Sequence, residues 1–373
     1  MSGRSIYFFL IPEHVSRDNY AHNALVLAEG LLELGWRIFA NINYWKSGPD
    51  DEGFLFRHDP AVQPSDCDVN VLTYDWLHFV NVVPFEIAEN KRSLRIYLED
   101  DGGLRPPGFA EPFRAFDLIL KSHFNRRTPH PSNYRPWSFG ISRRILAETA
   151  PAAPFSARRR ALLVNFGATH SYRHHLRKVF EQRVYRQLGG WLELDRTTNN
   201  RTAPPVDRYH RLMWEQTAYR HYPDYYERLR NSAACTCVGG QLAPGLPEDW
   251  SLFDGSGGLH TRLHRWWCDL ASQLGRDVPR WSQWESWRFW ESLSAGCAAL
   301  LLDFDKYGIQ LPVQPENWTH YIGLDLDHLP RDLDRLRSDQ GALAKVADAG
   351  RVWAHRHYSP AAKAERFVSM IDR

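Results

Sequence analysis

Ser286, Arg288 and Glu291, in the stretch SQWESWRFWESLSAGCAALLLDFD (282–305), have the types and spacing of an anion site. Serine is a helix-capping residue, which puts Arg288 in a first turn and Glu291 one turn later, ahead of Gly296 and an apolar strand. Unpaired N–H groups at a helix start, the helix dipole and a guanidinium together favour a diphosphate, with backbone groups at Ser286 and Trp287 as donors. Ionised Glu291 only accepts hydrogen bonds, so it suits the two hydroxyls of a ribose. Two blander readings compete. Arg288 and Glu291, three apart, would also make a surface ion pair worth well under about 1 kcal/mol. Alternatively Ser282 and Glu285 form a capping box, which starts the helix earlier and moves the anion site off Ser286. Trp281, Trp284, Trp287 and Trp290 recur every third residue, a step that drifts from the helical 3.6, so some of them must precede the helix.

A second group of residues suits proton transfer. His14, Asp18 and His22 lie in or just after the loop that follows the apolar run Ile6 to Ile11, and Asp100 and Asp101 follow RIYL. A base at either place would take the proton of an attacking hydroxyl, while a Gly102-Gly103 turn explains the acidic pair equally well. His260, His264 and Cys268 recur every fourth residue as metal ligands do, but a fourth ligand is missing and an amphipathic helix explains them better. Asp303 and Asp305 have the Asp-any-Asp form of a divalent-ion clamp, for which a polar strand end is the better account. The run Lys121 to Arg144 is basic and suits an anionic acceptor or a membrane surface, with a solvated face as the default.

The elements that hold these residues alternate between strand and helix. IYFFLI, a loop, AHNALVLAEGLLELG and a strand from Trp36 to Ile42 open a parallel βαβ unit, and further strands are expected at 69–73, 94–98 and 118–120. A linker is expected at 141–158. A second α/β unit then starts with ALLVNFG and an amphipathic helix closing on Gly189 and Gly190, with strands at 234–238, 298–303 and 320–324. Residues 190–222 and 240–282 read as insertions. Two helices close the chain, with Ser359 and Pro360 as cap and first turn of the last. At 373 residues the chain is long enough for two domains, and two doubly wound sheets imply a cleft at their strand ends.

The stretch from Ser286 through Cys297 resembles the nucleotide-sugar-binding domain of GT-B glycosyltransferases, especially the exostosin-like kind. LPVQPENW (311–318) stands where that family has a Leu-Pro-Phe segment and a Trp, and AGRVWAHRHYSPAAKAERF (349–367) is similar to its closing helices. The resemblance implies a GT-B fold of two Rossmann-like domains, with acceptor domain 1–145, donor domain 158–356, and a final helix, 357–373, crossing back to the first. It implies a glycosyltransferase using a nucleotide-sugar, without cofactor or metal, in which Gly167 permits close backbone approach and Arg173 adds a second cation. The acceptor stays unassigned among glycans, lipid-linked sugars, natural products and proteins, with peripheral membrane contact open. Related retaining enzymes carry a second Glu eight positions before the ribose Glu; Gln283 stands there, and Glu285 is out of register. A catalytically silent binding module and a sugar-nucleotide epimerase of the same fold stay open as alternatives.

The charge balance, 46 basic against 44 acidic residues, argues against a polyanion binder and predicts no nucleic-acid partner. Five cysteines without regular spacing predict reduced thiols, and no apolar run reaches a signal core or a membrane span, so a cytoplasmic protein is expected. Fifteen tryptophans leave some available for stacking on sugars or bases.

Overall fold

The computed structural model describes residues 3–13, 15, 20–100, 111–126, 130–150, 153–165, 180–196, 203–243, 280–339 and 341–372. Its first half is a six-stranded parallel sheet of β1 (Ser5–Phe9), β2 (Arg37–Ala40), β3 (Val69–Thr73), β4 (Leu94–Glu99), β5 (Leu118–Lys121) and β6 (Tyr134–Pro136), in the order β2-β1-β3-β4-β5-β6. Helix α1 (His22–Glu33) crosses from β1 to β2, and short helices α2 (Tyr74–Phe79) and α3 (Phe85–Ala88) follow β3. Strands β1 and β3 are buried along their whole length, as a sheet covered on both faces requires.

The expected linker is interrupted by α4 (Arg143–Thr149), capped by Ser142, whose Oγ accepts from the Ile145 N–H at 3.3 Å. Composition hid this helix: Pro and Arg flank it, yet Ile145 and Arg144 are buried. The second half holds a five-stranded parallel sheet, ordered β13-β12-β9-β7-β8, from β7 (Arg159–Leu163), β8 (Glu193–Asp195), β9 (Ser232–Thr236), β12 (Ala298–Leu302) and β13 (Ile322–Leu324). A separate antiparallel ribbon pairs β10 (Gly239–Ala243) with β11 (Arg280–Trp284).

Helices α5 (Arg208–Gln216) and α6 (Pro223–Asn231) lie between β8 and β9. The first is the insertion-like segment of the sequence, and it docks on the first half. Met213 joins the core of the first sheet, and Gln216 accepts from the Tyr44 hydroxyl through its carbonyl at 2.9 Å. Helix α7 (Trp287–Ser294) leads into β12, α8 (Phe304–Tyr307) leaves it, and α9 (Leu329–Ser338), α10 (Ala342–Tyr358) and α11 (Pro360–Ile371) finish the chain.

Among the described residues, two further seams join the halves. On one side the loop after β5 meets the end of α8: the Arg126 N–H donates to the Gly308 carbonyl and the Gln310 N–H to the Phe124 carbonyl, each at 2.9 Å. On the other, α11 lies along α1, with Ala364 and Phe367 in the first half's core. A Cβ at Gly30 would sit 1.9 Å from the Pro360 carbonyl oxygen and 2.8 Å from the Ala364 Cβ, so only glycine allows this approach.

Gly30→Ala should therefore push α11 off α1 and cost about 1–3 kcal/mol in urea unfolding, the usual range for overpacking. Gly53→Ala, where an added Cβ meets nothing within 4 Å, should change the midpoint little. Equal losses in both variants would contradict this account of the seam.

Candidate functional site

Helix α7 runs antiparallel to β12, so its N-terminus lies at the carboxyl ends of the second sheet's strands, where open α/β sheets bind ligands. Ser286 is the N-cap residue, with extended backbone, and residues 280–284 are strand, so the helix does not begin at the alternative box of Ser282 and Glu285. The Ser286 hydroxyl donates to the Cys237 carbonyl at 3.4 Å and does not cap, so among the described residues the first-turn N–H groups have no capping side chain. Trp281 and Trp284 are in β11, Trp287 and Trp290 in α7.

Arg288 is half-buried in that first turn, with no ion pair to a described residue, and its charge acts on Tyr225 and Cys235. It is not paired with Glu291. Glu291 is 7% exposed and accepts from the Tyr225 hydroxyl at 3.0 Å and the Tyr226 hydroxyl at 2.7 Å, one on each carboxylate oxygen. Each oxygen keeps a second lone pair. Trp287 points across the cleft to Tyr20, His22 and Phe139, at ring separations of 5.1, 5.9 and 6.0 Å, and the Arg220 guanidinium lies 5.5 Å over its ring.

Behind Glu291 stands Arg144, buried and donor-only. Its Nη1 donates to the Tyr226 hydroxyl at 2.7 Å and to His221 Nδ1 at 3.1 Å, and its Nη2 to the Tyr20 hydroxyl at 3.2 Å. Because arginine cannot accept, His221 carries its proton on Nε2 and passes it toward His210 Nδ1 at 2.9 Å. Burial, then the charge of Arg144, drives the His221 pKa down to about 2. Glu148 Oε1 lies 3.6 and 3.7 Å from these two nitrogens, edges near the roughly 3.4 Å of a tetrahedral cation with bonds of about 2.1 Å. Coordination through His221 Nε2 would turn its Nδ1 proton onto Arg144, donor against donor, beside a fixed positive charge. His221 and His210 are therefore a hydrogen-bonded pair oriented by Arg144.

Facing α7 are the strand ends of the first half. Asp100 follows β4 and accepts from Asn23 Nδ2 and the Ser122 hydroxyl, both at 2.8 Å. Burial raises its pKa and these hydrogen bonds pull it back. Asp75, in the first turn of α2 after β3, is raised to about 7, first by burial and then by the charge of Asp100, with Arg220 opposing. Strands β3 and β4 are neighbours, so the two carboxylates face one site. Asp75 was missed in the sequence because YDWLHF reads as an ordinary amphipathic turn; its position after a buried parallel strand was the available signal.

His22 does not serve as the acceptor base. It is 1% exposed, its Nδ1 accepts from the Tyr20 hydroxyl at 2.9 Å, and its Nε2 donates to the Gly140 carbonyl at 3.1 Å, while burial lowers its pKa to about 3. One nitrogen is tied to Tyr20 and the other holds the crossover segment at Gly140. Asp303 caps α8, accepting from the Asp305 and Lys306 N–H groups, and Asp305 reaches Arg126 across the seam, so that pair has structural roles. His14, Asp18, Asp101, Gly167 and Arg173, and likewise His260, His264 and Cys268, lie outside the described residues.

No family model matches the chain, and no curated protein sequence matches it. Among solved structures, an alpha-glucosyltransferase in complex with UDP-glucose and DNA containing an abasic site superposes at a TM-score of 0.55 and 11% identity, covering 99% of both chains. The alpha-glucosyltransferase with UDP and a 13-mer DNA containing a HMU base gives 0.55 and 11% over 100% of both chains. The enzyme with UDP alone gives 0.54 and 10%, covering 99% of this chain and 100% of that one. The chain therefore has the GT-B fold, two Rossmann-like sheets facing a cleft. The same complexes overturn the exclusion of nucleic acid: a near-zero net charge averages over the whole surface and says nothing of one cleft. Among the described residues no helix is long and apolar enough to cross a membrane.

Tyr226→Phe removes the hydroxyl that joins Arg144 to Glu291 and should cost about 1–3 kcal/mol in chemical unfolding, because both partners are buried. An unchanged unfolding midpoint would mean that Arg144 holds Glu291 by another route.

Proposed function

We propose that this chain transfers a sugar from a nucleotide-sugar to an acceptor hydroxyl in the cleft between the two sheets. The observation that carries the reading is the start of α7, where the Ser286 side chain makes no cap and Arg288 has no ion pair to a described residue, beside Arg220, which lies over Trp287 and acts on Asp75. An anion site and a base would then lie at the strand ends of the two sheets. A GT-B fold whose solved neighbours hold UDP makes UDP the first nucleotide to test.

In the reaction the acceptor oxygen attacks the anomeric carbon, and the bond from that carbon to the diphosphate oxygen breaks. The electron pair leaves with the nucleoside diphosphate, whose growing charge meets Arg288 and the N–H groups of α7. The hydroxyl proton goes to Asp75, whose pKa near 7 suits a base at neutral pH, while Asp100, held by Asn23 and Ser122, keeps that pKa up. Glu291, its rotamer set by two tyrosines, offers its remaining lone pairs to the ribose. Arg288 and a helix terminus neutralise the diphosphate without a metal ion, and the buried free thiols Cys67, Cys235, Cys237 and Cys297 suit a reducing cytoplasm. Nucleic acid joins glycans, lipid-linked sugars, natural products and proteins as an acceptor class to assay.

UDP should raise the melting temperature in the presence of EDTA, since a ligand of the native state stabilises by mass action. Arg288→Ala should lower UDP-sugar turnover by roughly 100-fold with little change in unliganded melting temperature. Turnover should rise with pH through about 7 as Asp75 loses its proton and then level off, and Asp75→Asn should lower the rate and flatten that rise. No thermal shift with UDP, GDP, ADP, dTDP or CMP, with or without magnesium, would falsify the donor site.

A further inference from the structure

Between α5 and α6 the chain makes a turn in which two adjacent non-glycine residues take left-handed φ, Ala218 at 52° and Tyr219 at 63°, the one such pair among the described residues. Crowding at Cβ makes that pairing costly, so it persists only where its surroundings hold it. Here they do. The Thr217 hydroxyl donates to the Met213 carbonyl at 2.7 Å, the Tyr219 N–H to the Trp214 carbonyl at 2.8 Å and the Tyr222 hydroxyl to the Tyr219 carbonyl at 2.8 Å, while the Trp214 and Tyr219 rings pack at 4.3 Å. Buried His221 closes the turn through Arg144 and His210. Of residues 217–222, Arg220 alone is exposed.

The same turn is a crossing between the halves. Met213 and Ala218 belong to the first half's core, and Tyr225 and Tyr226 to the second's. The Lys46 N–H donates to Gln216 Oε1 at 2.5 Å, and Gln216 Nε2 donates to the Lys46 carbonyl at 2.9 Å, which fixes the end of α5 on the first half. Arg220 therefore leaves an anchored backbone, and its guanidinium reaches both sides of the cleft. It lies 5.5 Å over the ring of Trp287, the first residue of α7, and its charge acts on Asp75 of α2.

We propose that Arg220 is a donor-binding residue whose guanidinium leaves Asp75 and closes on the diphosphate at the start of α7, so that the nucleotide is gripped from both halves. The role rests on the donor site assigned to α7 in the sugar-transfer reading. A planar guanidinium matches phosphate oxygens two at a time, and a diphosphate offers more charge than one carboxylate. The exchange frees the Asp75 carboxylate for the acceptor hydroxyl, and it makes Asp75 and the nucleotide competitors for one cation.

Isothermal titration with UDP in EDTA at pH 8, where Asp75 with its pKa near 7 is ionised, tests this across wild type, Arg220→Gln, Asp75→Asn and the double variant. Arg220→Gln should weaken UDP about 10-fold, as the loss of a charged hydrogen-bond donor does, with an unliganded melting temperature close to wild type because the side chain is exposed. Arg220→Lys, which keeps the charge without the fork, should recover part of the affinity. Asp75→Asn should tighten UDP about 2- to 5-fold, the worth of one exposed ion pair, and should change nothing in the Arg220→Gln background. UDP affinity unmoved by Arg220→Gln, or an Asp75→Asn gain that survives in the double variant, overturns the exchange and leaves the donor site standing, which Arg288→Ala reports separately. UDP binding to none of the proteins sinks the donor site and the role of Arg220 with it.

Discussion

The ammonium of Lys363, fully buried between the halves, is the contact on which the cleft depends. It donates to Asn23 Oδ1 at 2.9 Å, to the Ser138 carbonyl at 2.5 Å and to the Phe139 carbonyl at 2.9 Å, and lies 4.8 Å over the Trp137 ring. One charge thus ties α11 to α1 and to the segment that crosses between the sheets. Glu285 grips the same segment from the other side, accepting from the Phe139 N–H at 3.0 Å and from Trp290 Nε1 at 2.5 Å. Burial pushes the Glu285 carboxyl up to about 8, and burial pulls Lys363 down to about 7 against the attraction of Glu285. The signs oppose: the Glu285 contribution to stability is lost as pH rises from its unfolded value toward 8, and the cost of burying charged Lys363 is relieved above 7.

Asn23 shows how the scaffold reaches the chemistry. Its carbonyl accepts from Lys363 and from Trp137 Nε1, and its amide donates to Asp100 and Ser122. The residue that completes the cation's shell also orients the carboxylate whose charge adds to burial in raising the Asp75 pKa. Arg144 repeats the logic on the donor side, joining Tyr20 of the first half to Tyr226, and through it Glu291, of the second. Gly140 lies between the two networks: its φ is 72°, an added Cβ would meet Lys363 at 2.6 Å, and its carbonyl takes the His22 proton.

The sheets were legible because buried parallel strands are near-continuous apolar runs. Val69–Thr73 has the bounds read from the sequence, and the other main strands differ by a residue or two. The place of Ser286, Trp287 and Arg288 at a helix start was legible because a helix start is a local signal. Lys363, Glu285, Asn23 and Asp75 were not, since their partners lie tens to hundreds of residues away and a lysine in PAAKAERF reads as solvated. His22 misled for the same reason: adjacency to a loop pointed to the cleft, while a contact 118 residues away turned the ring inward. Helix α5 read as an insertion because its apolar face matches a surface on the other half.

The central claim is that the start of α7 is the diphosphate site. The most direct measurement is a crystal structure of the chain grown with saturating UDP. The account predicts the diphosphate within hydrogen-bond reach of the backbone N–H groups of Trp287 and Arg288 and of the Arg288 guanidinium, with the ribose toward Glu291. UDP bound away from α7, with Arg288 turned to solvent, would contradict it.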